Sequence, residues 1–226
     1  MSTQYIYLVR HGESKQNIDL KNGSKHLDTP DHDVELTENG HAQAYAAGKF
    51  LNQFINAKSP KEVMMYVSPF RRTRETKEEI LKQITPEIIK EDAMLVELDF
   101  GIFNGIPKSR LPEIYPEEWA KYQHERTHYG KFFARRAGGE RPLDCEARQR
   151  IFLTTLYHDM ETNPANHIII IGHGAQLSCL NKAMFNHSHE WYSLHKNPGN
   201  ASIRLITIED GKMTDRGYIH GGSEDG

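Results

Sequence analysis

Cysteine and long hydrophobic runs are both scarce in this chain of 226 residues. Cys145 and Cys179 are its two cysteines, too few for a disulfide scaffold or a multi-cysteine zinc module. The longest strictly aliphatic stretch, Ile168 to Ile171, is far shorter than the run of about 20 apolar residues that spans a bilayer. Met1 to Arg10 lack a basic stretch followed by an apolar run, so no signal peptide is expected. These absences predict a cytoplasmic protein with reduced thiols.

The sequence also lacks an excess of positive charge. It has 28 Lys and Arg against 31 Asp and Glu, which gives a formal net charge of −3 at pH 7. Nucleic acids and anionic membranes usually bind surfaces that carry a basic excess. The charge balance therefore argues against nucleic acid and against a membrane as partners of this protein.

Histidine is the residue type that stands out among those present. The chain contains 13 histidines, more than its 9 Phe or its 7 Met, in a composition with 37% hydrophobic and 26% charged residues. That hydrophobic fraction is sufficient for one sizeable core. Because histidine titrates near neutral pH, it serves as a base, a nucleophile or a metal ligand. Composition alone leaves these three roles open.

Short apolar runs alternate with helical patterns along the chain. The predicted parallel strands cover residues 5–9, 63–67, 94–96 and 168–171. The predicted helices cover residues 36–57, 68–84, 142–161 and 175–185. Two further strands, 202–208 and 213–219, form a closing hairpin around Asp210-Gly211. This order predicts an α/β fold of three layers, in which a mostly parallel sheet carries helices on both faces.

The segment 106–141 differs from the rest because it mixes prolines, aromatics and charges with short helical patches. We predict that it is a small helical cap insertion, with bounds at about 106–141, in a single domain that covers residues 1–226. No internal repeat or low-complexity linker in the sequence suggests a second domain.

Polar residues follow each predicted parallel strand at the point where the strand ends. In chain order these residues are Arg10, His11 and Asn17, then Arg72, then Glu97, and finally Gly172-His173-Gly174. Ligands of parallel sheets bind beyond the carboxyl ends of the strands, so we expect these residues to line one pocket. Its charge is positive apart from one acid, which suits an enzyme that binds a phosphoryl group and protonates its leaving group.

The same residues belong to motifs that match a known family. In chain order the motifs are Leu8-Val-Arg-His-Gly-Glu-Ser14 with Asn17, Leu36-Thr-Glu-Asn-Gly40, Ser68-Pro-Phe-Arg-Arg-Thr-Arg-Glu-Thr76, Leu95 with Glu97, Gly138-Gly-Glu140 with Asp144 and Arg148, and Ile171-Gly-His-Gly174. The chain thereby resembles the histidine phosphatase superfamily over roughly residues 5–180. The resemblance is to the branch that contains cofactor-dependent phosphoglycerate mutase and fructose-2,6-bisphosphatase.

The resemblance implies a role for each matched residue. His11 looks like the nucleophile that becomes a phosphohistidine, and Glu97 looks like the proton donor to the leaving oxygen. The residues that look like the phosphate-binding shell are Arg10, Asn17, Arg72, His173 and Gly174. Chemistry of this type requires no metal, and we expect no cofactor for this chain. A neutral imidazole is a competent nucleophile, and we expect a backbone carbonyl near Gly12 to hold its tautomer.

Two departures from the mutase pattern favour a phosphatase. Asp28-Thr-Pro-Asp-His-Asp33 stands where mutases carry a Gly-Trp-x-Asp block, and Ala134-Arg-Arg136 abuts Gly138-Gly-Glu140 with no room for the long mutase insertion. A phosphoglycerate mutase-type phosphotransferase is the alternative. A non-catalytic phosphate-binding regulatory module is a third reading, but such modules commonly lose the acid or a pocket arginine, and this chain keeps every matched residue.

The cap insertion carries a local excess of positive charge. Within 121–141, the six basic residues Lys121, Arg126, Lys131, Arg135, Arg136 and Arg141 stand against Glu125 and Glu140. We hypothesise that Arg135, Arg136 and His128 contact a second anionic group of a small phosphate ester, which is the expected partner. The sequence leaves a homodimer open. A metal site at His187, His189 and His195 is disfavoured, because no carboxylate or cysteine spacing supports it.

Overall fold

The computed structural model describes residues 3–57 and 62–223. In these ranges six strands form one sheet: β1 (Gln4–Arg10), β2 (Val63–Val67), β3 (Ile88–Glu91), β4 (His167–Gly172), β5 (Ile203–Glu209) and β6 (Lys212–His220). Their spatial order is β3-β2-β4-β1-β5-β6. The first four strands along this order are parallel to one another, whereas β5 is antiparallel to β1 and β6 is antiparallel to β5. The mostly parallel sheet and the closing hairpin are therefore confirmed.

Eight helices accompany the sheet in the described ranges: α1 (Lys15–Lys21), α2 (Glu38–Asn56), α3 (Arg71–Leu81), α4 (Leu111–Ile114), α5 (Pro116–Tyr129), α6 (Pro142–Thr162), α7 (Gly174–Phe185) and α8 (His189–Leu194). Alternating side chains of β1 show how they divide, since successive residues of a strand point to opposite faces. Tyr7 packs in one core with Leu51 of α2, and Ile6 packs in the other with Phe152 of α6 and Leu180 of α7. The three-layer prediction is confirmed.

The local signals for two predicted features agree with the structure. Thr37 is the N-cap of α2, and its side chain accepts a hydrogen bond from the backbone N–H of Gly40. Asp210 and Gly211 join β5 to β6 with φ angles of +49° and +76°, which are the left-handed values that a two-residue hairpin turn requires. Among the residues described, no helix is long and apolar enough to cross a membrane.

The predicted third strand at 94–96 is wrong. Residues Ala93–Leu95 form a 3-10 turn. The strand that pairs with the outer side of β2 is β3, which ends before this turn. Leu95 is fully buried in the core beside α6, so the apolar signal at this position reflects burial and not membership of a sheet. The edge strand β3 alternates half-buried and exposed residues, which is a weaker sequence signal than a continuous apolar run. Glu97 therefore follows a turn and not a strand.

The predicted start of α3 is also displaced. The helix begins at Arg71 with Phe70 as its N-cap, and Ser68 lies before it. The Ser68 hydroxyl is instead within hydrogen-bond distance of a histidine ring, as described below. The helices α1 and α8 are present although the sequence analysis predicts neither of them.

The cap segment forms a small apolar cluster of its own. Helices α4 and α5 belong to it, and its buried members are Phe103, Ile106, Leu111, Tyr122 and Ala134. Some of these side chains line a cavity that is also lined by Arg10 and His11 at the end of β1 and by Gly174 just after β4. The cap therefore covers the edge of the sheet at which the chemistry-bearing residues lie.

Candidate active site

Backbone pairing brings the ends of three neighbouring parallel strands together. The N–H of His11, just beyond β1, donates to the carbonyl of Gly172 at 3.0 Å, and the N–H of Ser68, just beyond β2, donates to the carbonyl of Ile171 at 3.1 Å. This pairing places the rings of His11 and His173 with their centroids 5.3 Å apart. Two residues separated by more than 160 positions thus meet because the sheet aligns β1 and β4 in register.

The His11 ring is held in one orientation by the backbone. Its Nδ1 lies 2.6 Å from the carbonyl oxygen of Gly12, and since a carbonyl can only accept, Nδ1 carries the proton. The Nε2 atom is then left with its lone pair, as the expected tautomer requires. His11 is 3% exposed, and burial, followed by the positive charges of Arg72 and Arg10, lowers the pKa of this imidazole well below its usual value. The neutral form of the ring is therefore favoured.

His173 is linked to Arg72 and Ser68. The Nε–H of Arg72 donates to Nδ1 of His173 at 3.2 Å, so the opposite nitrogen, Nε2, carries the proton of the neutral ring and faces the Ser68 hydroxyl at 2.8 Å. Burial and then the charge of Arg72 lower the pKa of His173 well below its usual value. The two histidines and the buried arginine consequently form one fixed group.

Arg10, Asn17 and Gly174 line the same cavity as His11. The Arg10 guanidinium is 6% exposed and donates through Nη1 to the carbonyl of Pro198 at 2.6 Å. The side-chain oxygen of Asn17 accepts from the N–H of Ser14 and from the Asn200 amide, both at 3.1 Å. Because its oxygen is engaged in this way, the amide nitrogen of Asn17 is the end that can donate to an anion.

Gly174 opens α7 beside Arg10. A Cβ on Gly174 would lie 3.5 Å from Cζ of Arg10 and 3.6 Å from Cβ of Asn197, which is ordinary van der Waals contact. A methyl group at this position would therefore pack against Arg10 and Asn197.

The Glu97 carboxylate lies at the N-terminus of α7. Its Oε1 accepts from the N–H groups of Leu98 at 2.8 Å and Gln176 at 2.9 Å, and its Oε2 accepts from the N–H of Ala175 at 3.3 Å. The Arg148 guanidinium donates to the backbone carbonyl of Glu97 at 3.1 Å and to the carboxylate of Glu140 at 3.0 Å. The matched residues Glu140 and Arg148 therefore support the loop that carries Glu97.

A cavity of about 500 Å³ extends from the two arginines to the cap. Its cationic lining consists of Arg10, Arg72, Lys108, Arg126, Lys131 and Arg136. Its apolar and aromatic lining consists of Leu20, Phe100, Phe103, Ile106, Leu111, Trp119 and Tyr122. Asp31 and Glu97 are the acids among the residues that line it. The cavity lining is thus strongly cationic and also partly apolar.

Of the three predicted cap contacts, Arg136 lines this cavity and Arg135 and His128 do not. Exposure alternates along the chain here, so that Arg136 is buried while Arg135 is exposed and reaches Asp144 at 3.2 Å. His128 is exposed and stacks on His124, one turn away on α5, with centroids 3.9 Å apart. Arg135 and His128 therefore lie outside this cavity, because the alternation of exposure along the chain and the helical periodicity of α5 turn them outwards.

Several cavity residues had no assigned role in the sequence analysis. Arg126 and Lys131 contribute to the predicted positive charge of the cap, but whether they face the cavity depends on how the cap folds. Asp31 belongs to the block that departs from the mutase pattern, which was the available signal. Asn197 carried no signal, since the segment before β5 reaches the site only through the antiparallel pairing of β5 with β1.

Two of the three histidines considered for a metal site are placed around an aromatic ring. His187 and His195 stack on Trp191 with centroids 4.2 and 4.1 Å away, and His189 pairs with Glu190. Stacking of this kind uses the ring faces of the imidazoles. This packing gives His187 and His195 a structural role.

A family comparison agrees with the geometry of the site. The family described as histidine phosphatase superfamily (branch 1) matches residues 6–218. The chain belongs to this superfamily. It is 33% identical over 219 residues to the phosphoglycerate mutase-like protein AT74 of Arabidopsis thaliana, a match that covers 91% of this chain and 65% of that protein. This chain therefore spans less than two thirds of the length of that relative.

Two other known proteins illustrate the range of the family. A 2,3-bisphosphoglycerate-dependent phosphoglycerate mutase of Bartonella tribocorum is 31% identical over 183 residues, covering 79% of this chain and 80% of the mutase. The solved structure of a mycobacterial glucosyl-3-phosphoglycerate phosphatase with VO3 superposes with a TM-score of 0.73 at 20% identity, covering 98% of this chain and all of the other. Relatives of this chain thus include proteins named as mutases, and its fold is shared with a phosphatase.

Proposed function

We propose that the protein is a phosphomonoesterase that acts through a phosphohistidine at His11 on a small anionic phosphate ester. The observation that carries this proposal is the buried, neutral His11 ring, whose Nδ1–H is bound to the Gly12 carbonyl while Nε2 is left as the nucleophilic atom. Arg10 and Arg72 line the same cavity and supply the fixed positive charge that a phosphoryl group in transfer requires. The name of the mycobacterial structural neighbour, a phosphatase, is in keeping with it.

The reaction has two displacements at phosphorus. First, Nε2 of His11 bonds to the phosphorus of the ester while the bond to the leaving oxygen breaks, and Glu97 gives that oxygen its proton. Then a water oxygen bonds to the phosphorus, the bond to Nε2 breaks, and one water proton returns to Glu97 as inorganic phosphate forms. Dividing one difficult displacement into two easier steps is the advantage of a covalent intermediate.

The decisive experiment is to trap the intermediate in the full chain. Brief incubation with a 32P-labelled aryl phosphate and an acid-free quench is expected to label the wild-type protein with the alkali-stable, acid-labile character of a phosphohistidine. His11→Ala is expected to lose both the label and turnover of 4-nitrophenyl phosphate. Wild-type protein that gives neither label nor turnover across a panel of phosphate esters contradicts the proposal and favours a non-catalytic phosphate-binding module.

The mutase alternative has its own test. Isomerisation of 3-phosphoglycerate in the presence of 2,3-bisphosphoglycerate separates the two activities, because a mutase returns the phosphoryl group to its substrate whereas a phosphatase transfers it to water. We expect release of inorganic phosphate without isomerisation. Isomerisation faster than phosphate release would assign the protein to the mutases.

Uncompensated positive charge in the cap supports a substrate with a second anionic group. Within the part of the chain that the structure describes, Arg126, Lys131 and Arg136 have no carboxylate partner and instead lie against aromatic rings. Arg136 is 8% exposed and lies 4.6 Å from the centroid of Phe100. Burial and the charges of Arg126 and Arg136 lower the pKa of Lys131. An anionic group among these cations would relieve their mutual repulsion.

A matched pair of substrates tests this part of the proposal. Phenyl phosphate and 4-carboxyphenyl phosphate differ by one carboxylate, and the ratio of their kcat/KM values measures what that carboxylate contributes. We expect Lys131→Met and Arg136→Gln to reduce the ratio about ten-fold, the effect of one lost charge-assisted contact. Arg135→Gln is the control, because Arg135 is exposed and lies outside the cavity. Equal ratios in all four proteins would remove the second-anion site.

A further inference from the structure

The phosphate shell contains one acid that the proposed reaction does not use. Asp31 begins the 3-10 turn Asp31–Asp33, lines the active-site cavity and has 26% of its side chain exposed. The Arg72 guanidinium donates through Nη1 to both the backbone carbonyl of Asp31 at 2.6 Å and its carboxylate at 3.1 Å. A carboxylate is thus paired with one of the two arginines that would bind the phosphoryl group.

The hydrogen bonds of Arg72 show which of its atoms remain for phosphate. Nε is bound to Nδ1 of His173 and Nη1 is bound to Asp31. Nη2 makes no hydrogen bond within residues 3–57 and 62–223, and it is the nitrogen that can meet a phosphate oxygen. Arg72 is 3% exposed, so these two partners determine how a buried guanidinium is presented to the cavity.

The Asp31 carboxylate also changes the charge of the site. A phosphate dianion on Nη2 of Arg72 would lie one guanidinium group away from this fixed negative charge. Charges at such distances interact appreciably where the surroundings are partly buried. Repulsion of this kind weakens the binding of free phosphate, while the Asp31 contacts keep Arg72 aligned.

We propose that Asp31 is a positioning residue that aligns Arg72 and weakens the affinity of the site for inorganic phosphate, so that product leaves after hydrolysis. The consequence is specific to a phosphatase, which must release phosphate in every cycle, whereas a mutase gains from retaining a phosphorylated intermediate. The role in product release rests on the proposed function, whereas the effect of Asp31 on phosphate affinity does not. Affinity for phosphate is measurable without turnover.

The test is the affinity of the full chain for inorganic phosphate, measured by isothermal titration calorimetry. Asp31→Asn keeps an oxygen for Nη1 of Arg72 and leaves the backbone carbonyl in place, but it removes the negative charge. We expect the Kd for phosphate to fall about ten-fold, which is the scale of one partly screened charge–charge contact. General damage to the site would act in the opposite direction, because a disordered arginine binds phosphate more weakly.

Asp33→Asn is the matched control. Asp33 lies in the same 3-10 turn, but its carboxylate is 57% exposed and lies 3.8 Å from Arg71, the exposed neighbour of Arg72. We expect the phosphate affinity of Asp33→Asn to equal that of the wild type. Unchanged or weaker phosphate binding in Asp31→Asn overturns the inference even if the wild type is an active phosphatase. If the wild-type protein has no phosphatase activity but Asp31→Asn binds phosphate more tightly than it does, the inference about affinity is supported and the proposed function fails.

Discussion

Backbone groups orient both side chains that would exchange bonds or protons with the substrate. The Gly12 carbonyl holds His11, and three backbone N–H groups hold the carboxylate of Glu97. Backbone atoms within a strand end or a helix N-terminus are already fixed by secondary structure, so little conformational freedom is lost when they position a side chain. The precision of the two residues therefore comes from the ends of β1 and α7.

Glu97→Gln tests the role of the acid at the residue scale. Glutamine keeps the size of the side chain and an oxygen for the N–H groups of Leu98 and Gln176, but it cannot give a proton to the leaving oxygen. We expect kcat for an alkyl phosphate to fall about 10²–10⁴-fold, the usual contribution of general acid catalysis. The loss on 4-nitrophenyl phosphate, whose leaving group needs little protonation, is expected to be much smaller. Equal losses on both substrates would assign Glu97 a purely structural role.

At the scale of elements, the loop that carries His11 is packed directly on the start of α2. A Cβ on Gly12 would lie 2.3 Å from the carbonyl oxygen of Gly40, and a Cβ on Gly40 would lie 2.0 Å from the carbonyl oxygen of Glu13. Thr37 adds a hydrogen bond from its hydroxyl to the Glu13 carboxylate at 2.9 Å. The motif that ends at Gly40 therefore supports the loop that carries His11 although none of its residues lines the cavity.

Gly40→Ala is expected to displace the loop that carries His11. The added methyl group has no space, because its nearest neighbour is backbone and not a flexible side chain. We expect a loss of about 2–3 kcal/mol in the free energy of unfolding, as for other overpacked sites, together with a fall in kcat. Urea unfolding and turnover of 4-nitrophenyl phosphate measure the two effects. Gly222→Ala is the control, since a Cβ there meets nothing within 4 Å. Similar stability of the two variants would contradict this packing argument.

At the scale of the whole molecule, the burial of His11 and His173 affects how stability depends on pH. Burial and the neighbouring arginines lower the pKa values of His11 and His173 below their ordinary value of 6.5. Below pH 6.5 the unfolded chain binds protons on these residues that the folded chain does not. The free energy of unfolding is thus at its full value above pH 6.5. It decreases as the pH falls from 6.5 towards the lower pKa values that these histidines have in the folded state.

This linkage predicts how stability depends on pH. Each buried histidine is expected to contribute a slope of about 1.4 kcal/mol per pH unit between the two pKa values. Urea unfolding at pH 7.5, 6.5 and 5.5 measures the slope in a range where most carboxylates stay ionised. His11→Gln is expected to reduce the slope between pH 6.5 and 5.5, and His128→Gln, at the surface of the cap, is the control. A wild-type slope in His11→Gln would contradict the assignment of a neutral, buried His11.

Continuous apolar strands and their end residues made the centre of the fold predictable. The strand β2 was predicted with its observed bounds, and β1 and β4 were predicted to within one residue at each end. These strands are buried on both faces, so their sequences leave few alternatives. The edge strand β3 and the 3-10 turn before Glu97 were not predicted, because an exposed edge and a buried turn each resemble something else in sequence.

The sequence by itself determined which residues lie at one edge of the sheet. Parallel strands bring their carboxyl ends together whatever the conformation of the loops between them. It also determined the family, because the motifs that carry the resemblance follow one another along the chain. Only the tertiary structure decided that Arg136 faces the cavity and Arg135 does not, and that Asp31 pairs with Arg72 across 41 positions of the chain. Such contacts depend on the packing of the cap and of the loop before α2, which local propensity and periodicity do not specify.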